Sequence, residues 1–239
     1  MAYTSAAMAN RMSRARTDLR QVAHNLANAN TPGFKKMMSY DSDGSGQGSP
    51  SLPDADGDLP QHISKLDLST GEFRHTGREL DLALKKPEGF FGVRTPDGLR
   101  YTRHGRFRVN SDGIIVNQQG HPLAAQGGDL RLPQGASDLT VSPTGEVRAD
   151  GQQVGTIEVY TFEDPARLER AGQTLFRSAG EQPATSRDPS VLQGKVEEAN
   201  VQPMRQLVRM MSASRSYENS TRMLRRMGSL KRKMIDQMI

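Results

Sequence analysis

The chain contains no cysteine and no tryptophan. Without cysteine there is no disulfide, no zinc–thiolate centre and no thiol nucleophile, and either a reducing or an oxidising compartment is permitted. Aromatic residues make up 5% and hydrophobic residues 34% of the 239 positions. The core is therefore modest, and the surface-to-core ratio suits an elongated shape. No run approaches the roughly 18 apolar residues of a membrane span. The N-terminus also lacks an apolar stretch ahead of a small-residue cleavage site, since Arg11, Arg14, Arg16 and Asp18 interrupt it. The expectation is a cytosolic chain, or one that leaves the cell without a cleaved signal peptide.

Catalytic signatures are equally scarce. The five histidines stand at 24, 62, 75, 104 and 121, and none has the i, i+4 spacing of a helical metal pair with glutamate between. His104 and His121 read as surface or turn residues. There is no G-x-S-x-G elbow. Gly44, Gly46 and Gly48 lie in a polar stretch without a following amphipathic helix, so they form no phosphate loop. Asp54, Asp56 and Asp58 start like a calcium loop, but the glycine position falls on Leu59 and the terminal glutamate position on Lys65. Glu79 and Asp81, two apart in a strand-like stretch, should share one face amid arginines and form ion pairs. No enzyme, metal or cofactor is expected.

Charge is present but uneven. The net charge is +5, yet residues 1–36 carry +5 and residues 200–239 carry +7, leaving −7 for the middle. Basic ends invite a nucleic-acid reading. Against it, the basic helices carry only Tyr3 and Tyr217 as aromatics, and no helix-turn-helix, zinc-finger or RNA-binding signature appears. Solvated helix faces flanking an apolar seam account for the pattern more simply.

Such a seam is visible at both ends. Met8, Met12, Ala15, Leu19, Val22, Leu26 and Ala29 step by fours and threes and are all apolar. Met210, Ala213, Tyr217, Ser220, Leu224, Met227, Lys231, Met234 and Met238 repeat the rhythm. These are heptad stripes on helices. An amphipathic helix can also pack on the core of its own domain. Two matching narrow stripes at opposite ends favour helices that meet as a coiled-coil-like stem. Small residues along the seams give little burial per layer, so neighbouring chains should be needed to cover the stem.

The first helix should run from about Tyr3 to Asn28, roughly 40 Å at 1.5 Å per residue, and stop at Thr31-Pro32-Gly33. Residues 39–62 are mostly Ser, Gly, Asp and Pro, a flexible acidic linker. From Gly71 the texture becomes short strands: Leu80–Leu84, Phe90–Arg94, Leu99–Arg103, Arg106–Val109, Ile114–Asn117, Asp129–Leu132, Leu139–Val141 and Val154–Phe162, with Leu175-Phe176 as a last one. Pro96-Asp97-Gly98, Ser111-Asp112-Gly113, Thr144-Gly145 and Asp150-Gly151 supply turns. The fold class is α+β: two terminal helices and an all-β middle of antiparallel sandwich or barrel-like type. The expected division is a stem helix over 1–36, a linker over 37–70, a β domain over 71–190 and a second stem helix over 191–239, with Asn200 as its N-cap.

Several stretches carry a resemblance. Asn25-Leu26-Ala27-Asn28, followed by Thr31, Gly33, Phe34 and Lys35, fits N-L-A-N-x-x-T-x-G-F-K. Thr76-Gly77 with Leu80-Asp81, then Gly89-Phe90-Phe91, fits T-G-x-x-L-D…G-F-F. Tyr101-Thr102-Arg103, Gly105 and Phe107 fit Y-T-R-x-G-x-F, and Gln193-Gly194, Glu197 and Asn200-Val201 fit Q-G-x-L-E-x-S-N-V, with Ala199 in place of serine. Arg215, Tyr217 and Glu218 fit R-x-Y/F-E. Together these resemble the bacterial flagellar basal-body rod and hook (axial) proteins over nearly the whole chain. Lys86-Pro87-Glu88 departs where many relatives have a glycine-rich turn.

The resemblance implies a structural subunit whose terminal helices line the core of a helical tube in the basal body, with the β domain outward. It implies export through the flagellar type III channel without cleavage, into the periplasm-spanning rod. Implied partners are further copies, proximal rod subunits below, the distal rod subunit above and, transiently, the export apparatus. Neither nucleic acid nor membrane insertion is implied. Val201-Gln202-Pro203-Met204 and Gly120-His121-Pro122-Leu123 look most like the proximal-rod type, with the distal-rod type as the alternative.

Overall fold

The computed structural model describes residues 2–42, 61–136, 138–180 and 182–236, and within these the side chains of 11–39 and 64–229. Residues 43–60, including Asp54, Asp56 and Asp58, lie outside the described residues, as does Met238 and as do the side chains of Met8, Lys231 and Met234. The architecture is α+β, with α1 at Ala2–Ala27, α2 at Pro203–Asp236 and a β-rich middle. Two compact units emerge. One comprises 1–27, 37–65 and 201–239; the other comprises 28–36 and 66–200.

The helical unit holds α1, α2 and a two-stranded sheet of Met37–Ser42 with Gln61–Leu66. The two helices pack on each other, and Thr221 on α2 reaches Met12 on α1. Among described side chains of α1, Ala15 and Val22 are buried, and Met12, Leu19 and Leu26 are half-buried, while Arg11, Arg16 and Arg20 are exposed. On α2, Ser220 is buried, and Met210, Ala213, Tyr217, Leu224 and Met227 are half-buried. Asn25 anchors the small sheet: its carboxamide donates to Met37 O at 2.9 Å and accepts from Met37 N at 3.0 Å. Ser39 adds a 2.8 Å hydrogen bond to Asp18.

The β unit is built of antiparallel pairs. Its largest sheet has six strands, in the order Leu168–Arg170, Leu175–Ser178, Gly98–Thr102, Phe90–Thr95, Val159–Thr161, Ala184–Thr185. Phe90–Thr95 is central, so both its faces are covered. Phe91 points into an aliphatic core with Val93, Leu123, Val147 and Ile157, and Phe90 into an aromatic one with Tyr101, Tyr160, Phe162 and Phe176. Alternation along a strand explains the Phe-Phe pair: each face receives one ring. Leu139–Val141, Glu146–Ala149 and Gln152–Thr156 form a three-stranded sheet. Asp150 and Gly151 join its last two strands with φ of 48° and 81°, the pair of positive angles a two-residue hairpin requires.

Several expectations need correction. The strand expected at Val154–Phe162 breaks at Ile157-Glu158, because Ile157 N donates to Gly145 O and Glu158 N to Ala124 O, carrying the chain from one sheet to another. Leu175–Ser178 is not the last strand: Ala184–Thr185, Val191–Gln193 and Lys195–Glu197 follow. Asn200 is not a helix cap. The helix begins at Pro203, and the Asn200 carboxamide binds backbone of distant segments instead.

Candidate functional site

The residues of the family-like stretches are scattered in sequence, and many converge in the β unit. At the centre is Glu197. Its Oε1 accepts from Lys35 Nζ at 2.5 Å and from Gly71 N at 3.0 Å. Its Oε2 accepts from Arg103 Nε at 2.8 Å, with Nη2 at 2.7 Å. All three side chains are 1% exposed. Arg103 also donates to Leu84 O at 3.0 Å, Lys86 O at 2.8 Å and Gly89 O, and Lys35 donates to Ser69 O at 2.6 Å. Burial lowers the pKa of Lys35 and of Arg103, and the Glu197 carboxylate pulls both back up. The cluster holds two cations on one anion. Carbonyl oxygens supply the remaining acceptors, as a buried charge demands.

Backbone contacts seal the same place. Gly33 N donates to Glu197 O at 2.7 Å, and Gly33 has a φ of +66°. A Cβ there would stand 2.3 Å from the Arg103 carbonyl carbon, so only glycine fits. Gly105 is constrained still more tightly, since a Cβ would lie 1.6 Å from Leu82 O. Asn200 accepts from Lys36 N at 2.8 Å and donates to Asp67 O at 2.8 Å and Ser69 O at 3.1 Å. Phe34 is fully buried, with the Arg170 guanidinium 4.7 Å from its ring centroid. Asn28 is buried and Thr31 Oγ1 donates to its Oδ1 at 3.4 Å. The chain thus brings Asn28, Thr31, Gly33, Phe34 and Lys35 from its start against Arg103 from its middle and Glu197 and Asn200 from its end.

Other singled-out residues lie elsewhere. Leu26 and Ala27 end α1, and Val201 is buried just before α2. Tyr101 is in the aromatic core and Phe107 stacks edge-on against Phe91, centroids 5.4 Å apart. Thr102 Oγ1 donates to Thr174 O at 2.8 Å. Gly77 and Gly194 turn the chain with φ of 70° and 71°, and Gly77 N donates to Gly194 O at 3.2 Å.

Two acid–base expectations are corrected. Glu79 is exposed, but Asp81 is fully buried, because regular strand begins only at Leu82 and alternation does not reach back. No hydrogen bond reaches the Asp81 carboxylate, and Arg78 Nε is 4.0 Å away. His104 is buried, 7% exposed, rather than on the surface. Burial, with the Arg106 charge second, pushes its pKa down to about 4. His121 is half-buried in a turn. Among the described residues no group of three or more His, Cys, Asp or Glu could hold a metal ion, and no helix is long and apolar enough to cross a membrane.

Sequence reading missed Arg170 and the role of Gln193. The Gln193 amide donates to Glu79 O at 3.0 Å and Leu139 O at 2.7 Å, and its oxygen accepts from Val141 N at 3.1 Å. Its place at the head of the Gln-Gly motif was the available signal; Arg170 had none.

Comparison with known proteins bears on the same residues. A family described as flagella basal body rod protein matches residues 7–35, the flagellar hook protein FlgE/F/G D1 domain matches 86–149, and the flagellar basal body rod FlgEFG protein C-terminal family matches 192–237. The chain is 32% identical to the flagellar basal-body rod protein FlgF of Caulobacter vibrioides, over 93% of this chain and 92% of that protein. It belongs to the flagellar basal-body rod protein family. The FlgF of Mesorhizobium japonicum is 31% identical over 87% of this chain and 86% of its own length. The rod protein FlgG of Bacillus subtilis is 29% identical over 87% and 88%. The chain is a FlgF-like structural subunit of the rod. Within this rod family member, the Lys35–Glu197–Arg103 cluster is a buried ion network. Its groups are hydrogen-bonded to one another and to backbone groups, and it holds three distant segments together.

Proposed function

We propose that the subunit enters the rod through its helical unit, with the seams of α1 and α2 joined as a coiled-coil-like stem and neighbouring subunits covering the rest. One observation carries this reading. Met204, Leu207, Val208 and Met211 on α2 are 74%, 41%, 65% and 61% exposed. At about 100° per residue they fall within an arc of roughly 100°, opposite Gln206, Met210, Ala213 and Tyr217. The first turns of α2 therefore carry two apolar faces, and the partner helix α1 can take only one. Each such side chain buried by a neighbour stabilises assembly by up to about 1.5–3 kcal/mol. In this reading the neighbours are further copies and other rod subunits, proximal ones below and the distal one above. The subunit passes the export apparatus unfolded and uncleaved, and acts in the periplasm-spanning rod.

The test is Val208→Glu combined with Met211→Glu, against Ser216→Glu at an exposed polar position on the same helix. The expected outcome is loss of the subunit from purified basal bodies, with circular dichroism of the isolated protein unchanged. Normal rod content in the double variant would remove the basis for this assembly face.

A further inference from the structure

Gly33, Lys35 and Lys36 belong to a segment that is tied to residues 197–200 at four points: Gly33 N to Glu197 O, Lys35 Nζ to Glu197 Oε1, Lys36 N to Asn200 Oδ1, and Asn200 N to Phe34 O. The two segments are 162 positions apart. The tether is unequal in a way that decides which part yields when it fails. Without the Glu197 carboxylate, Arg103 would keep three carbonyls, those of Leu84, Lys86 and Gly89. Lys35 would keep only Ser69 O. An ammonium with one acceptor, 1% exposed and beside a second buried cation, is strongly disfavoured. Its least costly escape is to leave for water and take its segment along.

We propose that Lys35, Arg103 and Glu197 form a clasp that orders residues 28–36 only after the chain has been completed through residue 200. The sheet of Phe90–Thr95 and its neighbours does not require the clasp, because its strands pair within residues 90–185. Before Glu197 arrives, a docked Lys35 would be a buried cation beside Arg103 without its paired carboxylate, with only the weaker influences of Asp67 on Lys35 and Glu88 on Arg103 to offset the burial, so the segment stays out. Arrival of one carboxylate reverses the balance. The segment that leads out of α1 thereby becomes fixed only in a chain that already carries the segment leading into α2. For a rod subunit this would withhold assembly from an incomplete chain. That consequence rests on the assembly reading above; the clasp itself does not.

The experiment is hydrogen exchange on three full-length variants: Glu197→Gln, Lys35→Met, and both together. Readout amides are Gly33 and Lys36 in the clasped segment, with Arg94 and Leu123, bonded to Pro122 O and Ile115 O, as references. Glu197→Gln is expected to speed exchange at Gly33 and Lys36 by on the order of 100-fold, with little change at the references. Lys35→Met should leave both protected, since Glu197 retains Arg103 and Gly71 N. The double variant should recover most of the protection, because the excess buried cation is gone; a role in packing alone predicts no such recovery. Protection retained in Glu197→Gln, equal loss at readout and reference amides, or failure of the double variant to recover would each overturn the clasp. Basal-body content separates the two readings: a released segment in Glu197→Gln with normal rods overturns the assembly consequence and leaves the clasp standing.

Discussion

Lys35 and Glu197 meet at 2.5 Å with 1% of each side chain exposed, although 162 positions separate them. A lysine just beyond the end of a basic amphipathic helix would ordinarily extend into water. Here the turn at Asn28–Gly33 sends it into the β unit. Gly33 permits that turn, and the Arg103 backbone lies where any Cβ would be. The contact closes a unit whose first and last segments come from opposite ends of the sequence. Unlike an exposed ion pair, it cannot lose the Glu197 carboxylate without stranding the buried lysine.

The same geometry ranks the partners. Arg103 makes hydrogen bonds to one carboxylate and three carbonyls. A lysine has three donors and no planar fork, so Arg103→Lys leaves carbonyls unpaired in the interior. The expected cost is about 1–3 kcal/mol, read as a shift in the urea midpoint of unfolding. A cost below about 1 kcal/mol would mean that the buried carbonyls find other donors.

His104 predicts a pH dependence. Its pKa falls from 6.5 to about 4, first through burial and then through the Arg106 charge, with a hydrogen bond to its own backbone and the Asp81 charge opposing. Between those values the unfolded chain binds a proton that the folded chain refuses. Stability is thus full above pH 6.5 and falls as pH drops toward 4. The loss amounts to roughly 3 kcal/mol at most. His104→Gln should flatten this part of the curve, measured as urea midpoints at pH 7, 5.5 and 4.5. Parallel curves for the two proteins would show that His104 does not titrate as described.

What the sequence announced and what it hid differ by range. The end of the first helix, at Ala27 against the expected Asn28, and the Asp150-Gly151 hairpin are local and were legible. The Phe90-Phe91 strand was legible too, since a short apolar run flanked by turn residues suits a strand covered on both faces. Asn200 misled because a carboxamide shortly before a helix looks like a cap, and nothing nearby reveals that Lys36, Asp67 and Ser69 will claim it. His104 looked exposed because polarity is a surface signal unless a partner or a covering element is known, and Asp81 looked like a face-mate of Glu79 because alternation was carried back past the start of the strand at Leu82. The Lys35–Glu197–Arg103 cluster lay in three quoted motifs, each visible, but no local rule says that they meet.

The terminal helices should exchange readily in the free subunit. Their seams rest largely on Ala, Ser and Met, and ordering each residue costs about 1–2 kcal/mol. Their like charges oppose the contact as well. Weak protection of Leu19–Leu26 and Leu224–Met227 is expected before assembly, and strong protection there would contradict it. Gly228 offers a complementary variant: it lies within α2, and a Cβ would meet nothing within 4 Å. Gly228→Ala should therefore stabilise the helix by about 0.5–1 kcal/mol, seen as increased helical ellipticity of the monomer.

Leu26→Asp tests the seam directly. Leu26 is half-buried near the end of α1, one residue after Asn25, whose carboxamide is fixed on Met37. An aspartate there would put a charge without a partner into a packed helical layer, at a cost of several kcal/mol once neighbours exclude water. A helical assembly repeats each contact, so the penalty recurs in every copy. The β unit has its own sheets and cores, so its near-ultraviolet circular dichroism should be unchanged. Arg16→Asp is the matched control, since Arg16 is exposed and off the seam; it makes a larger charge change and should have a milder effect. Motility and basal-body content are the measurements. Loss of incorporation with Leu26→Asp and near-normal rods with Arg16→Asp is the expected pair of results. Normal rods carrying Leu26→Asp would mean that the α1 seam takes no part in assembly, and the exposed face of α2 would then have to be matched to a different partner surface.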